Sequence, residues 1–299
     1  MKEFTYLFDF ENVTETGRSW VMHEFARLGA KHLVLTDTLI STIMRFPNLQ
    51  KVLADEMSAE GLTFVDAPSP FGTENDLLDP YEESRPRMLA RHRLAMQIAA
   101  DMGVDTICIH VGNPNWFDVN QFPLNKSMEN IRQSLDALLP IAEELKIAIC
   151  IENIWYPTST VDQLLQIKEL FPTGALGFTY DAGHANLMDK GRNYDECAAR
   201  KGWKASGFDD VPWEDHALEK MLPHVVNCHL HDNYGQWDEH RCPGHGNVDW
   251  PHVLGLLKQA PRLKNLQSEV IPCARHEALC DITAAFRARL AAADFPTDA

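Results

Sequence analysis

The sequence predicts a closed (β/α)8 barrel, a TIM barrel, that occupies residues 1–299 as a single domain. Eight short hydrophobic runs alternate with helical segments, which is typical of a parallel sheet. The runs are almost continuously apolar, as expected for strands whose outer faces are covered by helices. A chain of 299 residues, 45% of them hydrophobic, has room for eight such units and a full core.

The predicted strands and helices follow one another along the whole chain. The strands are residues 6–10, 32–36, 63–67, 106–110, 148–152, 176–181, 226–231 and 267–271. The helices are residues 20–28, 49–59, 88–102, 127–145, 161–170, 213–222, 250–258 and 274–292. Ser19 is a suitable N-cap for the first helix, and Gly103 follows the third at a position that favours glycine. Pro140 is expected to kink the fourth helix or divide it.

A doubly wound open sheet is the competing architecture. That fold usually carries a glycine-rich phosphate loop after an early strand, and neither GxGxxG nor GxxxxGK[ST] occurs in the chain. Two predicted strand-to-helix connections are long, at residues 68–87 and 187–212. Connections of this length commonly form lids or binding elements, although they also pack on themselves.

Composition narrows the classes of function. The net charge of −16 disfavours nucleic acid and anionic membranes as partners. No apolar run is long enough to span a membrane, and the first residues lack an apolar signal stretch. The seven cysteines are scattered without CxxC spacing, which favours a reducing cytoplasm over a disulfide scaffold.

Acidic and histidine side chains stand at or near the C-terminal ends of the last four predicted strands. They are Glu152, Asp181, His229 and Glu269. Buried polar groups are costly without partners, and neighbouring strand ends in a small barrel lie about 5 Å apart. The four groups are therefore expected to share one divalent cation. Mn²⁺ is favoured, and Zn²⁺, Co²⁺ and Mg²⁺ are alternatives.

Each of these residues also has an ordinary structural explanation. A glutamate at a strand end often pairs with a nearby arginine or lysine, and Asp181 with His184 could be a turn cap beside a core histidine. The pair His229 and His231 is more informative, because side chains two residues apart point to the same face of a strand. One histidine is expected to reach the ion and the other the substrate or the surroundings of the ion.

The same segments resemble the xylose isomerase-like barrel superfamily, which includes sugar isomerases and epimerases, inosose dehydratases and endonuclease IV. The resemblance covers about residues 100–272 and is carried by IEN at 151–153, DAGH at 181–184, HLHDN at 229–233, DEHRCPGHGNVDW at 238–250 and SE at 268–269. It implies that the same four residues bind the ion. It also implies that Glu152 and Glu269 exchange protons with the substrate. The residues implied to contact substrate are His110, His184, His231, Asp238, His240 and Arg241.

The implied activity is a metal-dependent isomerase or epimerase that acts on a small carbohydrate, a sugar phosphate or an inosose through a metal-stabilised enediolate. A phosphodiester hydrolase of the endonuclease IV kind and a dehydratase-like lyase are the alternatives.

The glycine loop departs from the family pattern, because His245 stands between Gly244 and Gly246 where an acid is common. One ion is the favoured number, and two or three stay open. Trp116 and Trp155 could pack on a sugar or on the core, and a homo-oligomer is an open expectation.

Overall fold

Eight parallel strands close into a barrel in the order of the chain, as the sequence predicts. The computed structural model describes residues 2–117, 123–189 and 194–297. The strands are β1 Glu3–Tyr6, β2 His32–Val34, β3 Thr63–Pro68, β4 Thr106–Ile109, β5 Ala148–Glu152, β6 Leu176–Asp181, β7 Val225–Leu230 and β8 Asn265–Ser268. Pairing between β8 and β1 completes the ring. The chain is therefore a single-domain (β/α)8 barrel.

Helices connect the strands and cover the outside of the barrel. They are α1 Glu15–Arg27, α2 Asp37–Arg45, α3 Asn48–Ala59, α4 Arg85–Asp101, α5 Leu124–Leu145, α6 Val161–Leu170, α7 Ala182–Met188, α8 Ala198–Ala205, α9 Ala217–Met221, α10 Trp250–Leu257, α11 Pro272–Arg275 and α12 Leu279–Ala292. None of the described helices has both the length and the apolar character needed to span a bilayer. The main hydrophobic core lies between the strands and these helices.

Several predicted boundaries differ from the structure for local reasons. The first strand ends at Tyr6, and Phe10 begins a short 3-10 helix. The last strand is Asn265–Ser268 rather than 267–271. Its buried Asn265 and Gln267 are polar, so the first residues of the strand do not form an apolar run in the sequence. Pro140 lies within α5, which continues through it as one helix. The final helix is divided in two, and the left-handed residue His276 ends its first part.

The interior of the barrel is polar below the strand ends. Asp66 on β3 is fully buried and accepts hydrogen bonds from Thr106 Oγ1 at 2.9 Å and Asn227 Nδ2 at 3.0 Å. Asn265 Nδ2 donates to Thr106 Oγ1 at 2.8 Å. Since β3 and β7 face each other across the ring, these bonds cross the barrel and tie its opposite walls together.

Candidate metal centre

Four consecutive strands bring polar side chains to the same edge of the barrel. Glu152 and Asp181 are the last residues of β5 and β6, His229 lies near the end of β7, and Glu269 directly follows β8. Asp181 is in register with His229 on the next strand. Because parallel strands end at the same edge, the polar groups that end these apolar strands converge above the barrel interior.

The four side chains lie close enough to share one ion. His229 Nδ1 is 3.2 Å from Glu152 Oε1, 3.2 Å from Glu269 Oε1 and 3.9 Å from Asp181 Oδ2. One ligand atom from each of the four lies within 4.8 Å of the others. Three carboxylates and one imidazole are a donor set suited to a divalent cation of intermediate softness.

A second group of ligand atoms adjoins the first on the side of α7 and the loop after β7. It consists of His184, His231, Asp238 and His240, again within 4.8 Å of one another. His184 Nε2 is 3.6 Å from Asp238 Oδ2, and His240 Nε2 is 3.0 Å from the same oxygen. The imidazoles of His231 and His240 stack with centroids 4.1 Å apart. The mouth of the barrel therefore offers donors for more than one ion.

Glu152 and Glu269 differ in protonation although they belong to the same group. Burial opposes ionisation of Glu152, but His229, His110 and His184 hold its pKa well below the usual value. Burial raises the pKa of Glu269 to about 8 although the charges of His229 and His240 lower it, and the charges of Asp181 and Glu152 add a smaller increase. One glutamate is thus held as a carboxylate and the other as an acid at neutral pH.

The histidines supply the positive charge that these acids require. Burial disfavours the protonated imidazole of His229, yet Glu269, Glu152 and Asp181 raise its pKa to about 10. Burial also opposes protonation of His240, and Asp238 and Glu269 raise the pKa of that histidine to about 9. A metal ion that binds here would replace these protons, so its binding should release protons and weaken at low pH.

Unsatisfied polar atoms indicate that the site fits a cation. His229 Nε2 and Glu269 Oε2 are buried without a hydrogen-bond partner among the described residues, as are His231 Nδ1 and Asp238 Oδ1. Buried polar atoms are normally paired, and exceptions often mark a missing ion or water. The carboxylate oxygens in particular would gain a partner from a bound cation.

Glu152, His229 and Glu269 line a cavity of about 380 Å³ at the mouth of the barrel, and Asp181 is fully buried outside its lining. Aromatic rings form part of its wall, among them Phe8, Phe71, Trp116 and Trp155. Asp9, Glu11 and Asp37 line the wall formed by the connections after β1 and β2. No lysine or arginine contributes to the lining formed by described residues. The cavity is large enough for a small molecule, and its described lining contains more carboxylates than histidines.

Most of the predicted substrate-contacting residues meet at this cavity. His110, His184, Asp238 and His240 line it. His110 Nε2 lies 3.0 Å from Glu152 Oε2, so it contacts the ligand group as well. Trp116 and Trp155 belong to the wall, and Trp155 packs edge-on against the imidazole of His184 with centroids 4.9 Å apart.

Two predicted contacts are placed elsewhere. His231 is fully buried beneath the cavity and is not part of its lining, and its Nε2 donates to Asp181 Oδ2 at 3.2 Å. Arg241 also lies outside the lining, because its guanidinium pairs with Glu239 at 2.6 Å and packs over the Tyr234 ring. A nearby acid on the same loop holds Arg241 away from the site, which sequence spacing alone does not show.

Several residues of the site were not predicted from the sequence. The Cys108 thiol donates to Glu152 Oε2 at 3.2 Å, although an apolar run such as ICIH suggests only a core cysteine. Asn153 fixes the start of α7, since its amide exchanges hydrogen bonds of 3.0 and 2.8 Å with the backbone of Asp181. The IEN motif contained the signal for Asn153. Asp9 follows β1 and Asp37 begins α2, and no such motif marks either position.

Comparison with known proteins agrees with this architecture. A model of the xylose isomerase-like TIM barrel family matches residues 16–262. An uncharacterized protein of Methanocaldococcus jannaschii is 26% identical over 173 residues, or 56% of this chain, and the match spans only 51% of that relative's length.

Two solved structures show the same fold over nearly their whole length. A D-tagatose 3-epimerase-like protein superposes with a TM-score of 0.73 at 18% identity and 98% coverage of both chains. A D-psicose 3-epimerase of Clostridium cellulolyticum H10 with D-tagatose superposes with a TM-score of 0.68 at 12% identity and 99% coverage of both. With most of its length matched by the family model, the chain belongs to the xylose isomerase-like TIM barrel family.

Proposed function

We propose that the protein is a divalent-metal-dependent isomerase or epimerase of a small sugar. The observation that carries the proposal is the group of Glu152, Asp181, His229 and Glu269, three of which line a cavity that suits a small molecule. The structural neighbours include proteins described as sugar epimerases. A divalent ion held by these four residues would polarise a substrate carbonyl and acidify the adjacent C–H bond.

The two glutamates supply complementary proton chemistry. Glu152, held as a carboxylate, is suited to remove a proton from the carbon next to the carbonyl. Glu269, which follows β8 at the same edge of the barrel, is suited to return a proton to the other face or the neighbouring carbon. The assignment reverses in the reverse reaction. A positioned carboxylate of this kind typically contributes 10²–10⁴-fold in rate.

The cavity wall favours an uncharged sugar over a sugar phosphate. Its described lining combines aromatic rings with carboxylates such as Asp9 and Asp37, and Arg241 is turned away. A phosphate dianion would be repelled there, whereas sugar hydroxyls can donate hydrogen bonds to carboxylates. Aromatic faces also suit the apolar face of a sugar. We propose free ketoses, aldoses or inososes as the substrate class.

Deuterium exchange tests the proposal. The Mn²⁺-loaded protein is incubated in heavy water with free ketoses, inososes and their phosphates, and the recovered sugars are analysed by mass spectrometry. We expect carbon-bound deuterium in a free sugar from the native protein. Glu269→Gln should lose this exchange at least about 100-fold while sugar binding is retained. Glu83→Gln changes an exposed acid outside the lining and should behave as the native protein.

The second group of ligand atoms favours one further candidate function. A multinuclear site built with His184, Asp238 and His240 would suit hydrolysis of a phosphodiester by metal-activated water. The lack of cationic side chains in the described lining counts against nucleic acid as its substrate. Cleavage of a phosphodiester probe without any deuterium exchange into sugars would favour this function over the first.

With its seven cysteines free, the protein is proposed to act in the cytoplasm.

A further inference from the structure

A basic cavity lies at the opposite end of the barrel, where the strands begin. It has a volume of about 390 Å³ and is formed by the segments that precede β5, β6 and β8. Ala148 and Val226 form its floor, and together with Cys150 they make a small hydrophobic cluster separate from the main core. Because the side chains here are small, a cavity remains at this end of the barrel.

The charged side chains of this cavity are mostly cationic. Lys146, Arg262 and Lys264 line it, and Glu143 is its acid. Lys168 lies close to Arg262, which together with burial lowers the pKa of Lys168. His224 stands near both and is also held towards its neutral form. Asp105 is the other acid in contact, through an ion pair with Lys264 at 2.7 Å.

Three of the four strong cations have no carboxylate partner among the described residues. Arg262 donates to the carbonyls of Leu176 at 3.0 Å and Gly174 at 2.7 Å. Lys168 donates to the carbonyls of Phe171 and Thr173. Lys146 forms no ion pair in the described part of the chain, while Glu143 accepts from the Thr173 hydroxyl.

This concentration of positive charge contrasts with the rest of the molecule. The chain has 43 acidic and 27 basic residues. In so acidic a chain, most cations are expected to have a carboxylate nearby. Two of the cations bind carbonyls of the connection between α6 and β6, which gives them a structural role. That role does not account for Lys146 and Lys264 facing the same opening. The cations Lys146, Arg262 and Lys264 outnumber the acids Glu143 and Asp105 here. A concave site with an excess of positive charge attracts small anions.

We propose that this cavity binds a small dianion, such as a phosphate-bearing or dicarboxylate metabolite. The anion would accept hydrogen bonds from Lys146, Lys264 and the part of Arg262 that is not bound to carbonyls. The site is remote from the mouth of the barrel and does not depend on the proposed isomerase activity. The cavity is too small for a macromolecule, and the net charge of the protein disfavours nucleic acid.

Calorimetric titration with inorganic phosphate, sulfate and succinate at constant ionic strength tests the proposal. Phosphate and sulfate represent tetrahedral dianions, and succinate represents dicarboxylates. Lys146 has a left-handed backbone with φ of 59°, a conformation that asparagine tolerates. Lys146→Asn should therefore fold normally and bind the dianion about tenfold more weakly, as expected for loss of one charge-assisted hydrogen bond. Arg93→Gln, an exposed cation on α4, is the matched control and should bind as the native protein does.

A second variant, Lys264→Gln, should weaken binding in the same direction. Saturable binding of at least one dianion that both cavity variants weaken and the control does not would support the proposal. The class of anion that binds most tightly would identify the ligand chemistry. Absence of saturable binding for all three anions, or equal binding by the native protein and both cavity variants, would overturn it.

Discussion

Gly183 shows how one residue without a side chain shapes the candidate metal centre. A Cβ built on Gly183 would lie 1.9 Å from His231 Cε1 and 2.5 Å from its Nε2. The His231 ring therefore occupies the space that any other residue would need. From there its Nε2 donates to the carboxylate of Asp181. Hydrogen bonds of this kind orient a ligand carboxylate and tune its affinity for metal.

Gly183→Ala should accordingly weaken metal binding. The added methyl group would push His231 away from Asp181, and loss of such a supporting contact typically costs about 10–100-fold in metal affinity. Titration with Mn²⁺ or Zn²⁺ followed by calorimetry measures the change. Gly255→Ala in α10 is the matched control, since a Cβ there meets no atom within 4 Å. Equal metal affinity of Gly183→Ala and the native protein would show that His231 does not position Asp181.

His92 gives the protein a defined sensitivity to acid. It is buried, with Nδ1 2.7 Å from Ser69 Oγ and Nε2 2.7 Å from the Asn75 carbonyl. Burial lowers its pKa from 6.5 to about 4, more than the bond to Asn75 raises it. The unfolded chain therefore gains a proton below pH 6.5 that the folded chain does not. Stability should be lost as the pH falls from 6.5 towards 4, by roughly 3 kcal/mol in total.

His92→Gln isolates this effect because an amide can keep both hydrogen bonds and does not titrate. The free energy of unfolding of the native protein, relative to that of the variant, should fall by about 2 kcal/mol between pH 7 and pH 5. Urea titrations at the two pH values measure both proteins. Contributions of other groups, including the acid Asp76, cancel in the difference. A pH-independent difference would mean that His92 has the same pKa in the folded and unfolded chains.

At the scale of single residues, the sequence predicted those whose chemistry and position along a strand are both distinctive. A carboxylate or imidazole that ends an apolar strand is conspicuous, and Glu152, Asp181, His229 and Glu269 do come together. The surroundings of these residues depend on packing between distant segments. Neither the fit of His231 beneath Gly183 nor the pairing of Arg241 with Glu239 follows from spacing along the chain.

At the scale of elements, the long connection after β6 folds into a unit of its own. Residues 187–212 were predicted to be a long strand-to-helix connection, and the structure places helix α8 within it. Met188, Cys197, Ala199, Trp203 and Val211 form a small cluster separate from the main core, and Trp155 and Trp213 pack against it. Gly202 of α8 lies directly against Trp155 and Tyr156, which line the cavity. The α8 unit therefore supports one wall of the candidate site.

Helices α2, α7 and α8 were not predicted, for physical reasons that differ. Helix α7 has only seven residues and contains Gly183, and glycine has low helix propensity. The α2 segment contains β-branched threonines and isoleucines, which have weak helix propensity, and its start depends on Thr36 Oγ1 accepting from Leu39 N. Helix α8 has only eight residues, and its buried Ala199 and Trp203 pack in a small cluster of their own. Strands such as β5, β6 and β7 were predicted closely because burial on both faces makes them continuously apolar.

Trp203→Ala should loosen α8 without unfolding the barrel. The substitution removes the largest side chain of the α8 cluster, which has no contiguous connection to the main core. Segments with few core contacts open locally, at a free energy below that of global unfolding. Hydrogen exchange measured by mass spectrometry should show faster exchange in residues 198–205 and unchanged exchange in β4–β7. Faster exchange throughout the barrel would mean that α8 and the barrel unfold as one unit.

At the scale of the whole molecule, one bound ion would connect half of the barrel wall. Its four proposed ligands come from the ends of β5, β6, β7 and β8, which are consecutive around the ring. The unfolded chain cannot present these ligands together, so binding of the ion favours the folded state. An ion at 100 times its dissociation constant would stabilise the fold by about 2.7 kcal/mol.

Metal binding should therefore raise the Tm of the entire barrel. We expect a rise of roughly 5 °C with saturating Mn²⁺ and its loss on chelation, since a domain of this size gains about 2–4 °C per kcal/mol. Asp181→Asn tests the origin of the shift, because asparagine can still accept the hydrogen bond from His184 N that caps α7 but is a poor cation ligand. Asp136→Asn, on the exposed face of α5, is the matched control. A Tm that rises equally in Asp181→Asn would place the ion outside the strand ends and would separate the stability of the barrel from the chemistry proposed at its mouth.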